Sequence, residues 1–132
     1  MVGFTCSSFD LLHTGHIMML KECRDNCDKL VVGLQTDPTI DRPNKNKPIQ
    51  SFFDRYIQIE SVKYVDLVCP YETEEDLFKL ICHVNPDIRF IGEDWKGREF
   101  TGYDLGIKVF YNRRYGYSTT ALRQEIFNNE LK

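Results

Sequence analysis

Phe9-Asp10-Leu11-Leu12-His13-Thr14-Gly15-His16 is the stretch on which the reading of this chain turns. It follows a short apolar run at 2–6 and precedes Ile17, Leu20, Cys23 and Cys27, apolar residues at helical spacings of three and four. A first strand therefore hands over to a first helix across two imidazoles and a glycine. The N–H groups of a helix start have no partner within the helix, and they carry a partial positive charge. Gly15 lets a ligand come close to the backbone. His13 and His16, three residues apart, lie on one face and offer donors suited to a phosphate that gains charge in a reaction. Two other readings of the pair stand beside this one: capping or surface histidines, and a shared cation with Asp10 as third ligand.

Outward from this junction the pattern repeats. Strands are predicted at 2–6, 29–34, 65–69 (stopped by Pro70), 87–91 and 107–111, and helices at 17–27, 52–62, 74–84 and 118–131. Continuous apolar strands alternating with amphipathic helices predict an α/β fold: a doubly wound, five-stranded parallel sheet with both faces covered. In such a sheet, ligands bind at the carboxyl ends of the strands. The 132 residues suit a single domain spanning 1–132. A net charge of −3 with mixed signs gives no footprint for nucleic acid or a membrane surface. No apolar run approaches the ~20 residues of a membrane span, and no secretory leader is visible, so a cytoplasmic location is expected. Five cysteines without a CxxC pair read as reduced thiols, mostly buried.

Three further segments carry chemistry. Arg113-Arg114-Tyr115-Gly116-Tyr117-Ser118-Thr119-Thr120 leads from the last strand into the last helix, with Ser118 as its N-cap. It reads either as a plain capped helix or as a second anion site, with Arg113 placed to neutralise the same anion. Lys45 and Lys47, in a proline-rich loop at 37–49, could hold a second anionic substrate. Asp94 and Trp95, after the fourth strand, offer a carboxylate for ribose or base and a flat apolar face. Two anion sites opening on one crevice suit a triphosphate.

The motifs SFDLLHTGH (8–16), KLVVGLQTD (29–37), DR (54–55), KYVD (63–66), IGEDWKG (91–97) and YGYSTTALR (115–123) together resemble the small cytidylyltransferases of the HxGH nucleotidyltransferase superfamily, glycerol-3-phosphate cytidylyltransferases above all. The resemblance implies a Rossmann-like nucleotidyltransferase fold, and transfer of a cytidylyl group from CTP to a small phosphorylated alcohol with release of pyrophosphate. It implies Mg²⁺ or another divalent cation, a homodimer, and contacts between copies near 63–66. It gives catalytic roles to His13, His16, Lys45, Lys47 and Arg113. Nucleotide contacts fall to Ser8, Phe9, Asp10, Gly15, Asp94, Ser118, Thr119 and Thr120. Acceptor contacts fall to Arg55, Lys47 and Trp95, and the metal to Asp10. Ser7-Ser8 stand where the family usually has Gly-Thr, and Arg114, Tyr115 and Tyr117 where it has Thr, Glu and Ile. These departures leave the acceptor open to a sugar phosphate or an amino-acid-derived phosphate. The alternatives are an adenylyltransferase of the same superfamily and a nucleotide-binding module without turnover.

Overall fold

The computed structural model describes residues 1–114 and 118–130. Five strands, β1 (Val2–Ser7), β2 (Lys29–Gln35), β3 (Leu67–Tyr71), β4 (Ile88–Gly92) and β5 (Lys108–Asn112), alternate with helices α1 (Thr14–Asp25), α2 (Phe52–Glu60), α3 (Glu74–Val84) and α4 (Thr119–Glu130). The sheet is entirely parallel, in the order β3-β2-β1-β4-β5. The order reverses between β1 and β4, so the topological switch point lies where the first junction emerges.

The predicted apolar stripes divide between the two faces. Leu20 and Cys23 of α1 and Ile59 of α2 pack with Leu30, Val32, Leu34, Ile88 and Phe90 on one face. Leu77 and Ile81 of α3 pack with Phe4, Val31 and Tyr71 on the other. Burial of these side chains, roughly 1.5–3 kcal/mol each, fixes the register of the strands and so the height of the loops above them. At the centre, the Phe90 ring of β4 lies against Gly3 of β1, where a Cβ would stand 2.4 Å from the ring.

Three differences from the sequence reading have physical causes. Helix α1 begins at Thr14 rather than Ile17, because His13 caps it. Strand β3 runs through Pro70 to Tyr71 instead of stopping at Cys69. It is an edge strand, where a missing N–H is tolerated. The cysteines are free thiols as expected, but Cys23 is buried while Cys82 is exposed. No helix among the described residues is long and apolar enough to cross a membrane.

Candidate active site

His13 is the N-cap of α1 and His16 its third residue, and they cap one another. The Gly15 N–H donates to His13 Nδ1 at 3.1 Å, and the His13 N–H donates to His16 Nδ1 at 3.2 Å. Each Nδ1 is thus an acceptor, which leaves the ring hydrogen of each imidazole on Nε2. The rings stack 3.9 Å apart, and the Phe9 ring meets His16 edge-on at 5.4 Å. Phe9 and Leu11 reach these positions with left-handed backbone (φ 48° and 51°), a conformation unfavourable for bulky residues and typical of functional turns. Burial, together with neighbouring His13, lowers the His16 pKa to about 4; burial lowers that of His13 too. Both rings are neutral at pH 7 and present N–H donors.

The β5–α4 junction meets them. Ser118 Oγ accepts the Ala121 N–H at 2.9 Å, the expected cap. Thr119 Oγ1 donates to the Asp10 carbonyl at 3.1 Å and lies 3.4 Å from His13 Nε2 and 3.5 Å from His16 Nε2. With its hydrogen directed at Asp10, this hydroxyl is the acceptor for both imidazoles. Two helix starts that are 105 residues apart in sequence (His13 and Ser118) thereby converge on one point.

Asp10 is the latch beneath that point. Its carboxylate accepts the N–H groups of Ile49 (2.9 Å) and Gln50 (3.0 Å), and Arg123 Nη2 at 2.6 Å. Burial pushes its pKa up, but the two main-chain bonds and Arg123 outweigh burial and hold it below the ordinary carboxylate value. Arg123 also donates to the Lys47 carbonyl at 2.9 Å, tying α4 to the lysine loop. Sequence reasoning quoted Arg123 only as the end of a motif. Its position one helical turn after Thr119 was the available signal.

A cleft of about 900 Å³ opens over this junction. Ser8, Phe9, Asp10, His16, Lys45, Trp95, Thr119 and Thr120 line it, and so do Arg123 and Arg89. Several expected contacts lie elsewhere. Lys47 lines a separate pocket of about 330 Å³ with Arg55. The Arg55 guanidinium is buried and bonded to four main-chain carbonyls, those of Ser8, Gln35, Thr36 and Gln50, at 2.6–3.2 Å. Rather than offering a hand to an acceptor, it clamps the ends of β1 and β2 to α2. Arg113 stands exposed beyond β5, its N–H held by Glu22 Oε1 at 3.0 Å. Asp94 is exposed in a short 3₁₀ turn (Glu93–Trp95), folded back so that a Cβ on Gly92 would meet its Oδ1 at 2.6 Å. Tyr115 and Tyr117 lie outside the described residues.

The metal expectation for Asp10 meets a donor set already in use, because both carboxylate oxygens accept protein N–H groups. Among the described residues no group of three His, Cys, Asp or Glu side chains could hold a cation. These residues do not fit a metal caged by the protein.

Residues 4–125 match the cytidylyltransferase-like family. The glycerol-3-phosphate cytidylyltransferase of Staphylococcus aureus (strain NCTC 8325 / PS 47) is 34% identical, covering 97% of this chain and 96% of that protein. The bifunctional protein HldE of Rhodopseudomonas palustris (strain HaA2) is 33% identical over 92% of this chain, which spans only 26% of that longer protein. Among solved structures, a lipopolysaccharide core biosynthesis protein from Thermoplasma volcanium GSS1 superposes with a TM-score of 0.69, at 33% identity, over 89% of this chain and 98% of that one. Pantoate-beta-alanine ligase from Francisella tularensis (TM-score 0.58, 19% identity, 85% of this chain and 58% of that one) shares the fold. With a family match over nearly its whole length and a site built at the switch point of a parallel sheet, the chain belongs to the cytidylyltransferase-like family and is a nucleotidyltransferase.

Proposed function

We propose that this enzyme transfers the cytidylyl group of CTP to a small phosphorylated alcohol. An oxygen of the acceptor phosphate attacks the α-phosphorus in line. A new P–O bond forms as the bond to the β-phosphate oxygen breaks, and pyrophosphate leaves with that electron pair. A phosphate oxygen is already a nucleophile at neutral pH, so no base is required. Catalysis consists of placing two polyanions in line and stabilising the charge that develops.

The observation that carries this reading is the pair of Nε2–H donors aimed at one point. Both point at the Thr119 hydroxyl. An α-phosphate oxygen entering there takes over as acceptor, and the donors need no reorganisation. Neutral imidazoles suit a step in which they hydrogen-bond without giving up a proton. The N-terminus of α4, with Ser118, Thr119 and Thr120, receives the leaving phosphates. Lys45 stands on the cleft wall to receive the acceptor phosphate. Mg²⁺ keeps most of its waters and binds readily to phosphates, so it would arrive with the nucleotide and offset part of its charge. A homodimer is supported by Phe53, Ile57 and Leu67, exposed apolar side chains on α2 and at the start of β3, beside the 63–66 segment.

The test is His16→Ala. Loss of one aimed donor is expected to lower kcat by about 10²–10³, with the Kd of CTP changed little. Unchanged turnover with a weakened Kd would remove the role assigned to His16. A panel of CTP, ATP, GTP and UTP scored by pyrophosphate release tests the choice of base.

A further inference from the structure

On the α3 side of β1 and β4, the cleft has a second arm that the reacting phosphates do not explain. Its floor is Arg89, which points away from the α1 face and is 5% exposed. The guanidinium lies over the rings of Phe4 (5.6 Å) and Phe100 (5.3 Å), which fix its plane. Nη1 donates to the Thr101 carbonyl at 3.0 Å, and Nη2 to Cys6 Sγ at 3.4 Å, a weak acceptor. Nε is buried and has no partner. Among the described residues no carboxylate pairs with it. Glu74, the acid bonded to Thr101 beside Arg89, is engaged on both oxygens, with Arg42 Nη2 at 2.8 Å and Thr101 Oγ1 at 2.7 Å. Tyr71 and Cys6 line the same arm, and burial raises both pKa values, so neither supplies a negative charge at pH 7. Glu99 and Asp104 stand exposed at its rim.

A buried guanidinium with an orphan donor and no counter-ion is costly unless an anion completes it. Its fork suits an oxyanion with two coplanar oxygens. That anion is not the reacting phosphate. The Arg89 backbone is in register with Phe4, three residues before the end of β1, and its guanidinium rises only to the level of Cys6, one residue short of that end. It also faces the opposite side of the sheet from the imidazoles.

We infer that the acceptor carries, besides its reacting phosphate, a carboxylate at its far end, and that Arg89 is the specificity-determining residue that binds it. This rests on the cytidylyl-transfer reading of the cleft and narrows its acceptor class to phosphorylated hydroxy or amino acids.

Matched probes test it. 3-Phosphoglycerate differs from glycerol 3-phosphate only in carboxylate for hydroxymethyl, and 4-phosphoerythronate differs likewise from erythritol 4-phosphate. With CTP and Mg²⁺, kcat/KM is expected to favour the carboxylate member of at least one pair by about tenfold or more, because a site with an unfilled buried donor rejects the uncharged analogue. Arg89→Met is expected to abolish that preference, and Arg89→Lys to leave a fraction of it, with the calorimetric Kd of CTP within about twofold of wild type in both. A ratio near one in both pairs, a preference for the alcohols, turnover of none of the four probes, or a preference that survives Arg89→Met would each overturn the inference. Failure of the wild-type enzyme to bind CTP would instead overturn the nucleotide reading beneath it.

Discussion

Arg55, on α2, and Arg89, the second residue of β4, are both hidden from water, at 1% and 5% exposure. Arg55 is matched to its surroundings, with four main-chain carbonyls around one guanidinium and the Phe52 ring 5.7 Å from its carbon. Arg89 has one carbonyl, one thiol and an orphan Nε. His16 stands between them: its Nδ1 is engaged in the helix cap, and its Nε2 faces Thr119 and the cleft. Burial of a polar side chain thus does not mark function; the donors that folding leaves for a ligand do. Arg55 holds the architecture; His16 caps α1 and, in the proposed reaction, serves the chemistry; Arg89 is the residue to which the inferred recognition is assigned.

Stability measurements can break that ordering. Arg55→Met leaves several buried carbonyls without partners, at about 1–3 kcal/mol each, and is expected to lower the unfolding free energy by at least ~4 kcal/mol in denaturant titration, or to prevent folding. A loss below ~1 kcal/mol would show that the clamp is dispensable.

The next effect is a pH dependence. The pKa of His16 falls from 6.5 to about 4 on folding, so between these values the unfolded chain binds the extra proton and the folded one does not. Stability is therefore fully present above pH 6.5 and declines as pH falls toward 4, by up to ~3 kcal/mol from this group. Protonation at Nδ1 would also break the bond from the His13 N–H. Unfolding free energies of wild type and His16→Gln at about pH 7 and about pH 4.5 check this: the decline should be markedly smaller in the variant. Equal declines would contradict the buried neutral imidazole.

The smallest effect is Arg89→Met. Removing a buried charge that has no counter-ion is favourable, while the Thr101 carbonyl loses its donor; the two offset, and stability is expected to change by less than ~1 kcal/mol. A loss comparable to that of Arg55→Met would move Arg89 from recognition to architecture.

The sequence carried the fold because apolar strands and amphipathic stripes report burial directly, and the alternation left one topology. It also carried the two junctions, since helix starts are written locally. It did not distinguish the arginines. Arg55 resembled a ligand contact because a motif contains it, and four main-chain carbonyls leave no trace in sequence. Arg89 had a signal in a charged residue at an inward position of an apolar strand, but its missing partner is visible only when Glu74, Arg42 and Thr101 are seen together. Lys45 and Lys47 looked equivalent on one loop, and the fold separates them between two pockets.

Nitrogen-15 NMR of the imidazoles during a CTP titration at pH 7 probes the site directly. Both rings should show a bare Nδ1 and a protonated Nε2 before nucleotide is added, and both Nε2 signals should move together as CTP binds while the Nδ1 signals stay nearly fixed. Imidazolium spectra, the opposite tautomer, or Nε2 signals indifferent to CTP would contradict a site in which two helix starts present neutral donors to one phosphate.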